Sequence, residues 1–91
     1  MIREEGTWEL VQQMIDAVPE EQKKQLAFSN DISDRIDSIM KERGMSQREL
    51  ARITGKRPSE VTRWLSGTHN FTLATIAKLS VALNHDFLSI V

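Results

Sequence analysis

Cysteine is absent from the 91 residues of this chain. That excludes a disulfide framework, a thiolate metal site and a cysteine nucleophile. Histidine is scarce: His69 and His85 stand far apart, with no nucleophile or metal-ligand constellation beside them in sequence. His85 and Asp86 read as a loop pair rather than a catalytic one. No enzyme, no metal site and no cofactor are therefore expected. No apolar run approaches the ~20 residues that span a bilayer. The N-terminus has no basic stretch followed by an apolar one, so nothing resembles a secretory signal. A single small cytoplasmic domain is the expectation.

The formal net charge of −1 conceals an asymmetry. Residues 1–45 carry ten acidic and six basic side chains, whereas residues 46–91 carry three acidic and six basic. Five of the latter six, Arg48, Arg52, Lys56, Arg57 and Arg63, fall within residues 46–67. A local basic patch can hold a phosphate backbone without making a whole chain basic. A solvated polar face is the plainer reading of charge alone.

Hydrophobic spacing divides the chain. Trp8, Val11, Ile15 and Val18 recur at helical intervals, with Thr7 as a candidate cap and Pro19 as the expected stop. Residues 20–28 are weakly patterned, compatible with a second short helix or with a continuation beyond a kink. From there the pattern sharpens. Ser29 or Asn30 would cap a helix, Asp31 and Asp34 would suit its positive end, and Ile32, Ile36, Ile39 and Met40 would form its apolar stripe. Gly44 would end it in a left-handed conformation.

Ser46-Gln47-Arg48-Glu49 has capping-box spacing, and Gly55 closes the helix that follows after about two turns. Pro58 suits the first turn of the next helix. There Val61, Trp64 and Leu65 face inward, leaving Ser59, Thr62 and Arg63 outward, with Gly67 as the stop. Thr72 would cap a last helix with Leu73, Ile76, Ala77, Ser80 and Leu83 inward and Asn84 at its C-terminal end. The expected core is Ile36, Ile39, Leu50, Ala51, Val61, Leu65, Leu73, Ile76 and Leu83, with Trp64 as an anchor whose indole N–H reaches a polar partner. Phe71 would plug the edge between the last two helices. The apolar tail FLSIV would be either a strand pairing across a dimer or a final turn over the core.

A short helix, a glycine turn and a second helix with one apolar face are what the major groove demands. One helix enters and only its exposed face reaches base edges, while the preceding helix braces it and touches the backbone. Ala51 lies where a larger side chain would push the two helices apart. Gln47, with the free N–H groups of its helix end, can bind a phosphate. Arg63 is a candidate for reading guanine through two hydrogen bonds or for clamping a phosphate. Ser59 can donate to either. Lys56 and Arg57 lie where they would hold the backbone. Thr68, His69 and Asn70 form a loop that reaches a second phosphate or merely satisfies itself.

The motifs Gly44-Met45-Ser46-Gln47, Leu50-Ala51, Gly55, Val61-Thr62-Arg63-Trp64-Leu65-Ser66-Gly67 and Ala82-Leu83-Asn84 give residues 36–88 a specific resemblance to the Cro/C1-type (XRE) helix-turn-helix regulators of bacteria and phages. The resemblance implies an all-α, lambda-repressor-like domain of four core helices at residues 29–91, preceded by a helical extension at residues 1–28. By position it places the phosphate-binding glutamine on Gln47, flanked by Ser46 and Arg48. It places the early base-reading positions on Pro58 and Ser59 and a later one on Arg63, with Thr62 on the same face. Pro58 departs from the usual polar residue and offers only apolar contact, as to a thymine methyl group. Asn84 stands in for the glycine common after the fourth helix. The implied partners are double-stranded DNA and a second copy of the chain, joined through the extension or the FLSIV tail. Two functions fit: a dimeric repressor of a palindromic operator, or an antitoxin that also represses its own operon and holds a toxin through residues 1–28.

Overall fold

The computed structural model describes residues 4–90, with side chains from residue 7. Residues 1–3 of the expected extension and Val91 of the tail lie outside that range. Five helices follow in order: α1 (Glu4–Asp16), α2 (Glu20–Arg43), α3 (Gln47–Thr54), α4 (Pro58–Trp64) and α5 (Leu73–Leu83). The fold is all-α, with α2–α5 forming its core.

Two expectations at the N-terminal end need correction. Helix α1 starts at Glu4, so Thr7 lies inside it rather than capping it. No helix begins at Ser29 or Asn30; α2 runs unbroken for 24 residues from an N-cap at Pro19, whose carbonyl accepts from the Gln22 and Lys23 N–H groups at 3.0 and 3.2 Å. Its first-turn acids are Glu20 and Glu21, and Asp31 and Asp34 lie mid-helix. The physical reason is that nothing between residues 20 and 43 is glycine or proline. The cap-forming side chains at 29–34 are used differently. Asn30 Nδ2 donates along the helix to Asp34 Oδ2 at 3.4 Å, and Ser29 and Ser33 join Ile36, Ile39 and Met40 on the buried side. The boundary expected between residues 28 and 29 thus falls inside a helix about 36 Å long.

The other helix ends behave as their residues require. Gly44 (φ 62°), Gly55 (φ 68°) and Asn84 (φ 50°) all take the left-handed conformation. The residue after each donates back into the helix: Met45 N to Met40 O (2.8 Å), Lys56 N to Ala51 O (2.9 Å) and His85 N to Ser80 O (3.0 Å). These bonds satisfy carbonyls that a helix end leaves open. Ser46 and Thr72 cap α3 and α5 by accepting from Glu49 N at 3.1 Å and Thr75 N at 3.2 Å.

The core comprises Ile36, Ile39, Met40, Leu50, Ala51, Val61, Trp64, Leu79 and Leu83, with Ile32, Met45, Leu65, Phe71 and Phe87 packed around it. Leu73 does not belong to it: it is 71 % exposed, whereas Leu79 is fully buried. Helix α5 presents Ile76, Leu79 and Leu83 inward, and Ala77 faces out. Helix α3 packs against both α4 and α5, and buried Ala51 keeps that packing close. In the tail, Phe87 turns to the core while Leu88 and Ile90 stay exposed.

Polar ties join α2 to the ends of α4 and α5. Arg43 Nη1 donates to Leu83 O at 2.7 Å, linking the ends of α2 and α5. Buried Ser33 donates its hydroxyl to Trp64 O and accepts from Gly67 N at 3.2 Å. It therefore closes the end of α4 and the turn beyond it in one stroke. The polar tie at Trp64 is made by this carbonyl; among the described residues the indole N–H has no hydrogen-bond partner.

The N-terminal third is built differently. The radius of gyration is 17.1 Å, against about 12 Å for a compact chain of this length. The excess arises because α1 and the first half of α2 extend from the core. Ser33→Ala should lower stability by about 1–3 kcal/mol, the cost of leaving a buried partner unsatisfied. Urea denaturation checks this, and a change below about 0.5 kcal/mol, within the range of ordinary surface substitutions, would show the tie to be dispensable.

Candidate nucleic-acid interface

Helix α4 is only seven residues long, too short to persist alone. Its conformation is imposed from both ends and from beneath. Pro58 at its first position supplies a helical φ and has no N–H to leave unpaired. Glu60 Oε2 accepts from the Arg57 N–H at 2.9 Å, the back-reaching half of a capping box. Val61 and Trp64 are buried beneath it. At its far end Ser66 Oγ donates to Arg63 O at 2.7 Å, and the Leu65 N–H donates to Val61 O at 3.1 Å.

With Val61 and Trp64 turned down, Pro58, Ser59, Thr62 and Arg63 are all exposed along the opposite face. Alongside lies the start of α3, where Ser46, Gln47 and Arg48 are exposed. A direct bond joins the two helices: Thr62 Oγ1 donates to Gln47 Oε1 at 3.1 Å. The same hydroxyl is 3.2 Å from Pro58 O, its own helix's carbonyl one turn back. With its oxygen engaged, the Gln47 carboxamide keeps both N–H donors for another acceptor.

Arg57 is exposed and Lys56 half-buried where the chain enters α4. Beyond α4, the Thr68 N–H donates to Ser66 Oγ at 3.2 Å, and the two hydroxyls are 3.2 Å apart. His69 is half-buried, its ring edge-on to Phe71 at 4.8 Å, and Asn70 is exposed. The loop is thus partly satisfied internally, with Thr68 and Asn70 on the surface.

Glu60 is the residue that sequence reading passed over. An acid among Lys56, Arg57 and Arg63 looks like a dilution of positive charge. Its bond from the Arg57 N–H lowers its pKa; desolvation opposes this in part, and the Lys56, Arg57 and Arg63 charges each add a smaller lowering. The signal was present in the spacing Arg57-x-x-Glu60, which matches the acidic half of a capping box.

An exposed helix face braced by a second helix, with cations and free amide donors around it, defines a helix-turn-helix module for double-stranded DNA. A helix-turn-helix family model matches residues 36–87, a span that contains all of α3, α4 and α5. The chain belongs to this family, in its Cro/C1 (XRE) type, and is a DNA-binding transcription regulator. No curated protein and no solved structure matches it. Among the described residues, no helix is long and apolar enough to cross a membrane.

The lowered pKa of Glu60 has a signed consequence. A depressed carboxyl pKa contributes stability above the unfolded value and loses it as pH falls through the folded value. The stability gap between the native chain and Glu60→Gln should therefore be constant from pH 7 to pH 5. It should close below the ordinary carboxylate pKa of about 4.3. Thermal melts across that range check it; a gap independent of pH down to pH 2 would contradict the assignment.

Proposed function

We propose that this regulator is a sequence-specific repressor that acts as a dimer on an approximately palindromic operator. The observation that carries this is the exposed row Pro58, Ser59, Thr62 and Arg63 on α4, lying over buried Val61 and Trp64 and beside the start of α3. In this reading α4 lies in the major groove. Arg63 binds guanine O6 and N7 with two hydrogen bonds, Ser59 donates to a base edge, and Pro58 rests against a thymine methyl group. Ser46, Gln47 and Arg48 hold one phosphate stretch and Lys56 and Arg57 another, with Thr68, His69 and Asn70 reaching a further phosphate. Two copies would set their α4 helices about 34–36 Å apart, one turn of duplex. Arg63→Ala should weaken operator binding about ten- to hundredfold and binding to random duplex much less, measured by titration at fixed salt. Equal loss on both would make Arg63 a phosphate clamp.

A second reading, an antitoxin that represses its own operon, is favoured by α1. Trp8, Val11 and Ile15 are 65, 40 and 46 % exposed along one side of that helix. A helix of 13 residues with an exposed apolar side is not held by propensity alone; a partner groove would hold it. Residues 4–16 contain four acids and no base, which suits a partner with basic charge around its groove. Removing residues 1–18 should leave a cooperative thermal transition and DNA binding intact while abolishing capture of a toxin encoded by a neighbouring gene. Capture that survives the deletion would remove α1 from this role.

A further inference from the structure

The Gln47–Thr62 pair assigns Thr62 a different task from its neighbours on the exposed face of α4. We propose that Thr62 is a positioning residue: its hydroxyl fixes the Gln47 carboxamide so that the amide N–H groups face the DNA backbone. This rests on the DNA-binding reading above and deepens it.

The argument is one of donor and acceptor counting. Thr62 Oγ1 has a single proton and two candidate acceptors, Gln47 Oε1 at 3.1 Å and Pro58 O at 3.2 Å. The Pro58 carbonyl also lies within reach of the ordinary i→i+4 backbone bond, so it does not depend on the hydroxyl. Gln47 Oε1 has no other hydrogen bond among the described residues. Donation to Gln47 therefore gives the hydroxyl its distinctive effect. It orients a carboxamide that would otherwise rotate freely, since Gln47 is exposed. With Oε1 turned toward α4, Nε2 carries two donors on the side away from it. A phosphate oxygen can accept from those donors; it could not accept from the reversed carboxamide, whose oxygen would repel it. The same bond joins the phosphate-facing end of α3 to the base-facing side of α4, across 15 positions in sequence. Pro58 makes Thr62 necessary for this. As the first residue of α4 it has no side-chain donor or acceptor, so it cannot hold Gln47 from the start of the helix. The threonine one turn later can.

This assignment takes Thr62 out of base reading, and a double-mutant cycle separates the two roles. The full chain and its Thr62→Val, Thr62→Ser, Gln47→Ala and Thr62→Val/Gln47→Ala variants would be titrated with the duplex selected from a random pool and with an unrelated duplex of equal length, over a series of salt concentrations. Helical circular dichroism and a cooperative melt confirm that each variant folds. Thr62→Val should weaken binding to both duplexes by a similar factor, about three- to tenfold. Thr62→Ser, which keeps the hydroxyl, should restore it. In the Gln47→Ala background, Thr62→Val should have no further effect, because the group it positions is gone. In the free protein, Thr62→Val should move the two Gln47 side-chain amide proton signals toward the positions of an unrestrained carboxamide, a change that needs no DNA. Three results overturn the assignment: native affinity in Thr62→Val, a loss that persists in the Gln47→Ala background, or a changed base preference in the selected duplex. If the native chain binds no duplex, the DNA-binding reading itself falls, and the role of Thr62 with it.

Discussion

The buried hydroxyl of Ser33 is the point on which the placement of the recognition helix depends. One side chain on α2 takes hold of the last carbonyl of α4 and the Gly67 N–H in the turn that follows. A seven-residue helix has almost no cohesion of its own, so its direction is set by whatever holds its two ends. The start is set locally, by Pro58 and by Glu60 reaching back to Arg57. The end is set from a distance, by a residue 31 positions earlier in the chain. Gly67, at φ 86°, lets the chain turn away at that point. The room there is small: a Cβ on Gly67 would come within 3.2 Å of the Asn30 side chain. Helix α2 is thus both a wall of the core and the fixed member against which α4 is aimed.

That same helix carries α1 at its other end. Some 14 residues separate Pro19 from Ser33 along α2, about 21 Å of helix. Helices α1 and α4 therefore meet α2 at well-separated points along one rod. The C-terminal half of the rod is packed and tied by Ser33 and Arg43. The N-terminal half is largely exposed, with Leu26 and Phe28 about half accessible. A partner seated on α1 would not have to cover α4, so holding a partner and holding DNA are compatible in one molecule.

Several parts of this arrangement were legible in the sequence because they rest on local chemistry. Gly44, Gly55 and Asn84 mark helix ends by conformational tolerance alone, and all three do end helices. Ser46 and Thr72 mark helix starts in the same way. Val61 and Trp64 at helical spacing identify the buried side of α4, and hence the exposed side by subtraction. What could not be read depended on distant contacts. Ser29 and Ser33 interrupt the apolar stripe of α2, and Ser29 imitates a cap, so the helix looked shorter than it is. Their burial follows from where α4 and its turn arrive, which no window of sequence around residue 30 contains. Leu73, expected inside, is exposed and Leu79 is buried instead, for a related reason. The apolar residues of α5 outnumber the places available inside, and tertiary packing chose among them.

The exposed face of α4 shows the limit of sorting residues by side alone. Ser59, Thr62 and Arg63 share that face, yet only Thr62 has a partner on α3. A pattern of inward and outward positions gives all three the same status. The distinction appears once the two helices are packed, because α3 brings Gln47 beside one of them and leaves the others open. A proline at the head of α4 sharpens the difference, since it fixes the backbone well and its side chain holds no neighbour by hydrogen bond. Local rigidity and lateral bracing are then supplied by different residues. Pro58 and Glu60 set the helix in place, Thr62 links it to the preceding helix, and Arg63 remains free to meet what lies outside.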